Sequence, residues 1–467
     1  MNLLDGFRDA DPSEIDTPTQ LAVEGEIPSD LRGVLFRNGP GQFGIHGERY
    51  RHLFDGDGLA TRIDFREDGA YYTSRMVQSK HKTREDQAKR KLYGTYATRP
   101  PGGPLRRFLN RDFKNVGNTN LVYQWGSVFA LYEGGPPHRL DPTTLDTMGE
   151  ELFNNRLAEQ QKFSAHPHRD PATDDVWNFG LTRKKETTIT VYNMRQNGEF
   201  DVPFEIISPY SGIVHDFALT PNNLIFVVPP VKLPKVPLGL ILGQRSYYES
   251  MSWHPDEPTV IIMVDRNTGR EERLETESFM NFHVANAWEE DDALHIDLCN
   301  FDDFDVMKSM QEMISGIPPK RSVSYLERLS IEGRKVTRTR LSDTSMEFPR
   351  TVEGGFGTKR QYYFGTSWGD REWIAVPMRY DVQTQRSLLV PLEAHQYAGE
   401  PVPVPKSEGE DDSVWLLYTV LDLKQERSLV FIADGDNVTA PPVAQLTLPQ
   451  RIPIPLHGNW VPVSKLS

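Results

Sequence analysis

Four of the twelve histidines stand in settings unlike the others. His166 (in Ser-Ala-His-Pro), His215 (Ile-Val-His-Asp-Phe), His283 (Asn-Phe-His-Val-Ala) and His457 (Pro-Leu-His-Gly) lie in or beside apolar stretches, not in charged surface turns. Neutral imidazole is a good ligand for zinc, copper, iron and nickel, so four of them together would hold a metal without adding protein charge. Their separations are 49, 68 and 174 residues, which excludes a local motif such as His-Glu-x-x-His. They can meet only if the chain returns four times to one centre. Taken singly, each reads as an ordinary hydrogen-bonded histidine, and spacing alone does not select these four. Cys299 is the sole cysteine, so intrachain disulfides and cysteine-based zinc or iron–sulfur sites are excluded. Asp55-Gly-Asp-Gly58 has the look of a calcium loop but lacks the later ligands, and a structural turn is the better reading.

The elements that must position these residues are strands. Short runs rich in β-branched and aromatic residues recur from end to end, bounded by Gly, Asn, Asp and Pro. They include 60–65, 128–132, 188–192, 224–228, 260–264, 294–298, 373–377, 414–418 and 429–433. Turns led by Asp or Asn, at Asp141, Asn193, Asp265 and Asp381, each join a strand to a polar return strand. Helical patterns are few and short, over 83–92 and 305–314. Many hairpins without alternating helices predict an all-β propeller or sandwich. A propeller axis would supply the four returns, although the repeat is too divergent to count blades. Residues 399–412, rich in Pro and acid, read as a long loop, and the chain is expected to form one domain over 1–467.

The formal net charge of −14 argues against a nucleic-acid partner, which needs a basic face to displace counterions. It also argues against strong attraction to anionic lipid. A single cysteine fits a reducing cytoplasm. The first ten residues have neither a basic start nor an apolar run, so no signal peptide is expected. The most apolar stretch, 229–243, is interrupted by Lys232, Lys235 and four prolines and cannot span a bilayer.

Further motifs bear a resemblance. Phe36-Arg-Asn-Gly-Pro40, His52-Leu-Phe-Asp-Gly-Asp-Gly58, Lys114-Asn-Val-Gly-Asn-Thr-Asn120, Ala130-Leu-Tyr-Glu-Gly-Gly135, Ala398-Gly-Glu-Pro-Val402 and Ile454-Pro-Leu-His-Gly458 occur in order with the histidine segments. From about residue 25 to its end the chain resembles the carotenoid cleavage oxygenase family, with most likeness to its apocarotenoid oxygenase type; residues 1–24 would be an N-terminal arm. The resemblance implies a seven-bladed β-propeller, with a dome of loops and short helices over an iron-bearing axis. It implies one Fe(II) per chain on His166, His215, His283 and His457, with Glu133, Glu347 and Glu400 behind them. A carboxylate accepting the far N–H of a ligand imidazole fixes its tautomer and raises its basicity. O2 would be the co-substrate, with no organic cofactor.

The implied reaction is oxidative cleavage of a carbon–carbon double bond in an apolar conjugated substrate, an apocarotenoid, to two carbonyl products. Thr119 matches a threonine that the family places close to the iron. Tyr132 and Phe282 are expected in the substrate tunnel, with plain core packing as the alternative. Leu105, Phe108 and Leu109 match an apolar segment that related enzymes dip into membrane, and 233–242 would complete the patch; buried core is the alternative for both. The expectation is a cytoplasmic protein touching a membrane surface, with no obligate protein partner. Leu456 stands where many members carry phenylalanine, which bears on tunnel shape and bond choice. Alternatives are cleavage of phenolic stilbenes or phenylpropanoids, isomerisation of a retinoid ester, and a non-catalytic propeller that only binds. Tyr132 counts against the stilbene reading, because stilbene-cleaving members resemble one another in carrying lysine there.

Overall fold

The structure, a computed structural model, describes residues 3–109, 112–158, 161–371, 373, 375–407 and 412–466. Seven antiparallel sheets of four to six strands follow one another along the chain as the blades of a β-propeller. The first blade is closed by the chain's two ends. Strand Gly458–Pro462 pairs with Gly33–Gln42, on the edge opposite Ile15–Gln20. The second begins with Asn120–Gln124, the third with His168–Arg169, the fourth with Ala218–Leu219, the fifth with Met280–Glu290 and the sixth with Glu347–Arg350. In the seventh, Gln396–Ala398 and Val402–Pro405 both pair with Val414–Asp422, so its first strand is broken in the middle.

Local chemistry explains the hairpins. Asp141, Asp265, Asp381 and Asp422 each accept the backbone N–H groups two and three residues on, closing Asx turns at blade corners. Between blades the contact is apolar. Phe179, Ile189 and Val191 of the third blade pack with Phe217, Leu224, Phe226 and Ile262 of the fourth in one buried cluster. Buried asparagines stitch neighbouring blades through backbone oxygens: Asn38 reaches Asn120 O at 3.1 Å, and Asn120 reaches Ala165 O at 2.8 Å. Lys114 is fully buried, with its ammonium 2.6 Å from Asp57 Oδ1 and 2.7 Å from Glu85 Oε2. The Asp55–Gly58 motif is thus a turn. Asp55 accepts from Ala97 N and Thr98 Oγ1, and Asp57 is spent on Lys114.

Four short helices, Lys80–Ala88 (α1), Pro104–Leu109 (α2), Leu238–Ile241 (α3) and Asp305–Ile314 (α4), lie outside the sheets. In α4 the apolar residues Val306, Met307, Met310, Met313 and Ile314 recur on one face. They pack against Phe7, Phe43, Phe282, Phe301, Trp368 and Trp373 to form the core of the dome.

Four local expectations are corrected. The helix over 83–92 begins and ends earlier, because Ser79 caps it and Glu85 draws Leu92 N and Tyr93 N into a turn. The strand over 373–377 starts at Val376, with Ile374 outside the described residues. Within the 399–412 loop, Val402–Pro405 is a strand. Its prolines alternate along an edge position, where a missing donor is tolerated; residues 408–411 lie outside the described residues. The stretch 1–24 contributes sheet: Ile15–Gln20 extends the first blade and Ala22–Gly25 the seventh.

Candidate metal centre

Each blade delivers one residue to the axis from its first strand, from a break in it, or from the three residues before it. In chain order these are Thr119, His166, His215, His283, Glu347, Glu400 and His457. His166 and His215 sit two and three residues ahead of their strands, and His457 one ahead of Gly458–Pro462. His283 lies inside Met280–Glu290, where the ladder register breaks between Asn281 and Val284. Such a bulge re-aims a side chain. Glu400 occupies the break between the two half-strands of the seventh blade.

The four imidazoles meet. One ring nitrogen from each lies within 4.8 Å of the other three, and all four residues are buried. Donors held at roughly 2.1 Å by one metal stand at most about 4.2 Å apart, so the four nitrogens lie close to the spacing a metal requires. Behind them stand the three glutamates. His457 Nδ1 hydrogen-bonds Glu400 Oε1 at 2.9 Å, His283 Nδ1 bonds Glu347 Oε2, and His215 Nδ1 touches Glu133 Oε1. Nδ1 of His283 and His457 therefore carries the proton, and the lone pair of each is on Nε2. His166 Nε2 and His283 Nε2 are buried with no hydrogen-bond partner among the described residues. A buried nitrogen lone pair without a partner is costly, and a cation among the four rings would satisfy it. The donor set therefore fits a divalent transition metal.

The electrostatics agree with neutral rings facing a cation. Burial and the neighbouring imidazoles push His166 well below the usual histidine value, and burial lowers His457 to about 4. Burial acts against charge on His283 too, but Glu347 lifts it above the ordinary value. Burial also works against ionised Glu400, yet Arg350, His457 and Arg37 bring its carboxyl down to about 2. Glu400 additionally accepts Gly458 N at 3.0 Å. Both arginines approach it at 3.4 Å, so its negative charge is held in place on every side.

Two cavities that share Thr119 reach the imidazoles, and a third of about 80 Å³ reaches His166, His283 and His457 from the side of Asn120 and Arg350. The larger, about 950 Å³, is lined by Thr119, Tyr132, Glu133, Ser164, His215 and Tyr247 among others, and continues outward to Lys80, Arg84 and Lys162. The smaller, about 30 Å³, is bounded by Phe54, Thr119, Phe282, Phe348, Trp373 and Leu456 around His215, His283 and His457. Thr119 borders both, and its hydroxyl donates to Asn118 Oδ1 at 3.0 Å, so it offers bulk and no free proton. Phe282 lines the smaller cavity and Tyr132 the larger.

Sequence reasoning missed Tyr96 and Tyr247, which line the larger cavity with Tyr132. It also missed Phe348, whose ring packs on His283 and His457 at 5.1 and 5.2 Å. No local signal in the sequence marks these three residues. Leu105 and Leu109 are 73% and 74% exposed, and Phe108 39%. Val236, Leu238 and Leu242 are exposed nearby, where Arg107 reaches Gly243 O at 3.3 Å. Leu233 is buried and does not belong to this surface. No helix among the described residues is long and apolar enough to cross a membrane.

Known proteins share this architecture. Over 454 residues the chain is 34% identical to the apocarotenoid-15,15'-oxygenase of Synechocystis sp., covering 94% of this chain and 92% of that protein. It is 29% identical to the isoeugenol monooxygenase of Pseudomonas nitroreducens, covering 95% and 94%. The crystal structure of cobalt-substituted Synechocystis ACO, an apocarotenoid oxygenase, superposes with a TM-score of 0.90 at 31% identity, covering 99% and 98%. The model of the retinal pigment epithelial membrane protein family matches residues 10–462, and the chain belongs to that family, the carotenoid oxygenases.

Proposed function

We propose that the protein is an iron(II)-dependent dioxygenase that cleaves one double bond of an apocarotenoid into two carbonyl products, with His166, His215, His283 and His457 holding the iron. The observation that carries this reading is the meeting of four buried imidazoles, two of them with unpartnered Nε2 atoms; one of the four, that of His215, lines a cavity of about 950 Å³. That volume suits a long apolar ligand. The similarity to carotenoid- and apocarotenoid-cleaving relatives supports the same reaction class.

Bound iron(II) would supply the binding and activation of O2, chemistry that no side chain performs. The residues of this chain do the rest. Four neutral imidazoles add no charge, while Glu133, Glu347 and Glu400 keep the negative charge one layer out, and Glu347 and Glu400 hold the tautomers of His283 and His457. The apolar walls formed by Phe54, Phe282, Phe348, Trp373 and Leu456 exclude water from the reacting bond. Thr119, between the two cavities, restricts how closely a substrate carbon approaches the imidazoles. The exposed leucines of α2, with Val236 and Leu238, form an apolar surface that we assign to peripheral membrane contact, through which an apolar substrate would arrive.

Purified protein is expected to hold about one iron per chain and to convert apocarotenals to two shorter carbonyl compounds identified by mass. His283→Ala should lose both iron and turnover. Stoichiometric zinc without iron, or full turnover by His283→Ala, would refute the assignment.

A further inference from the structure

The larger cavity is apolar near the imidazoles but charged farther out, and the charges are not all matched. Its wall holds the cations Lys80, Arg84 and Lys162 and the carboxylates Asp112, Glu133 and Glu150. Lys80 pairs with Glu150 at 2.9 Å, and Glu133 is occupied by His215. Arg84 has no carboxylate within ion-pair distance among the described residues, and its guanidinium donates to Tyr93 Oη at 3.5 Å. Lys162 has no carboxylate partner among the described residues; its ammonium lies 5.1 Å from the ring centroid of Tyr247, another wall residue. Its backbone is pinned, because Tyr192 OH donates to Lys162 O at 3.1 Å. A Cβ at Gly180 would come to 1.8 Å of that same oxygen, so only glycine permits the approach. Lys162 is four residues ahead of His166, and Ser164 between them also lines the cavity. At about 3.3 Å per extended residue, the two Cα atoms are no more than roughly 13 Å apart.

We infer that Lys162 reads the end group of the substrate, and that the preferred substrate is a polyene chain ending in a carboxylate. This rests on the dioxygenase reading of the same cavity. A half-buried lysine without a carboxylate partner among the described residues gains most from an anion, since charge-assisted hydrogen bonds are about twice as strong as neutral ones. A terminal aldehyde offers a weaker acceptor, a hydrocarbon end none. The same field sets direction. Glu133, at the imidazole end, repels a carboxylate that enters first, so the acid end stays outward on Lys162 and the conjugated chain runs inward. Because Lys162 is pinned at a fixed distance from His166, holding the end group also fixes which double bond reaches the imidazoles.

The test compares iron-loaded protein acting on three polyenes of equal length that end in carboxylate, aldehyde or alcohol. The wild type should favour the acid by about 10-fold or more in kcat/KM. Lys162→Met should lower kcat/KM for the acid about 10- to 100-fold, mainly through KM, and leave the alcohol within twofold. Lys162→Arg should retain the acid preference and Lys162→Glu should reverse it. An equal loss for all three substrates in Lys162→Met, or a wild type indifferent to the end group, would overturn the inference. Equilibrium binding of the acid and the alcohol, followed by quenching of protein fluorescence, is read in parallel. Selective binding of the acid, abolished in Lys162→Met, with no cleavage of any polyene, would sink the dioxygenase reading and leave the end-group reading standing.

Discussion

Replacing each glutamate behind the histidines by glutamine should weaken metal binding to a similar degree but cost very different amounts of stability. The substitution keeps an oxygen that can accept the imidazole Nδ1–H and removes only the charge. Losing such a partner typically costs 10- to 100-fold in metal affinity, about 1.4–2.7 kcal/mol. Glu400 does more than this. It is 2% exposed, and Arg37, itself 1% exposed, lies 3.4 Å away. Burial lowers the Arg37 pKa to about 10 in spite of Glu400, which shows how costly that cation is to hold inside. Breaking a buried pair by removing one partner costs about 3–5 kcal/mol. Arg37 keeps its bonds to Glu400 O at 2.8 Å and Leu456 O at 3.3 Å, so about 2–4 kcal/mol is expected for Glu400→Gln. Glu133 has a side chain 30% exposed to the cavity and no arginine beside it. Glu133→Gln should therefore cost under about 1 kcal/mol. Glu347→Gln should fall between, since Glu347 is buried and bonds His283 and Phe348 N but no cation of a side chain outside the histidines. Urea unfolding of the metal-free variants gives the stabilities, and metal titration gives the affinities. Glu400→Gln as stable as wild type, or Glu133→Gln destabilised as much as Glu400→Gln, would refute this account.

Two further outcomes are expected. Arg99 binds Glu249 through two bonds of 2.8 and 2.6 Å, tying the segment of Tyr96 to that of Tyr247 beside the cavity. Burial opposes ionisation of Glu249, yet Arg99 and Ser246 lower its carboxyl from 4.5 to about 2. Its folded pKa is depressed, so its contribution is present above pH 4.5 and is lost as the pH falls towards 2. Solvent screening reduces it to about 1–2 kcal/mol. Amide protection around 94–103 and 244–251, taken relative to the intrinsic exchange rate at each pH, should fall below pH 4 in wild type; a Glu249→Gln variant with the same pH profile would contradict this. At the surface, Leu105→Glu with Leu109→Glu should reduce co-sedimentation with neutral lipid vesicles more than tenfold, since each buried leucine contributes roughly 1.5–3 kcal/mol. Unchanged sedimentation would remove the membrane role of this patch.

Much of this molecule can be read locally. Val260–Val264 and Leu429–Ala433 declare themselves as strands by β-branched composition, and Asp265 and Asp381 mark corners by their ability to cap a turn. The helix Asp305–Ile314 is visible in its apolar spacing, residue for residue. What blurred the picture was chemistry between distant segments. The edge strand Val402–Pro405 hides behind its prolines, and α1 stops early because the Glu85 carboxylate competes for Leu92 N and Tyr93 N. Blade number was illegible because the axial positions are separated by unequal insertions, from 47 residues between Thr119 and His166 to 68 between His215 and His283.

Residue type by itself determined the strand-rich class, the absence of thiolate chemistry and the presence of four imidazoles in apolar settings, since these depend on side-chain chemistry and period-two patterning. Their identity as a set came from resemblance. Only the tertiary structure decided that the rings converge within 4.8 Å, that Nδ1 of three of them faces a glutamate, and that Lys162 ends up on the wall of the same cavity. The reason is ring closure. The pairing of Gly458–Pro462 with Gly33–Gln42 brings residues more than 400 positions apart into one sheet, and that closure carries every axial residue to the centre.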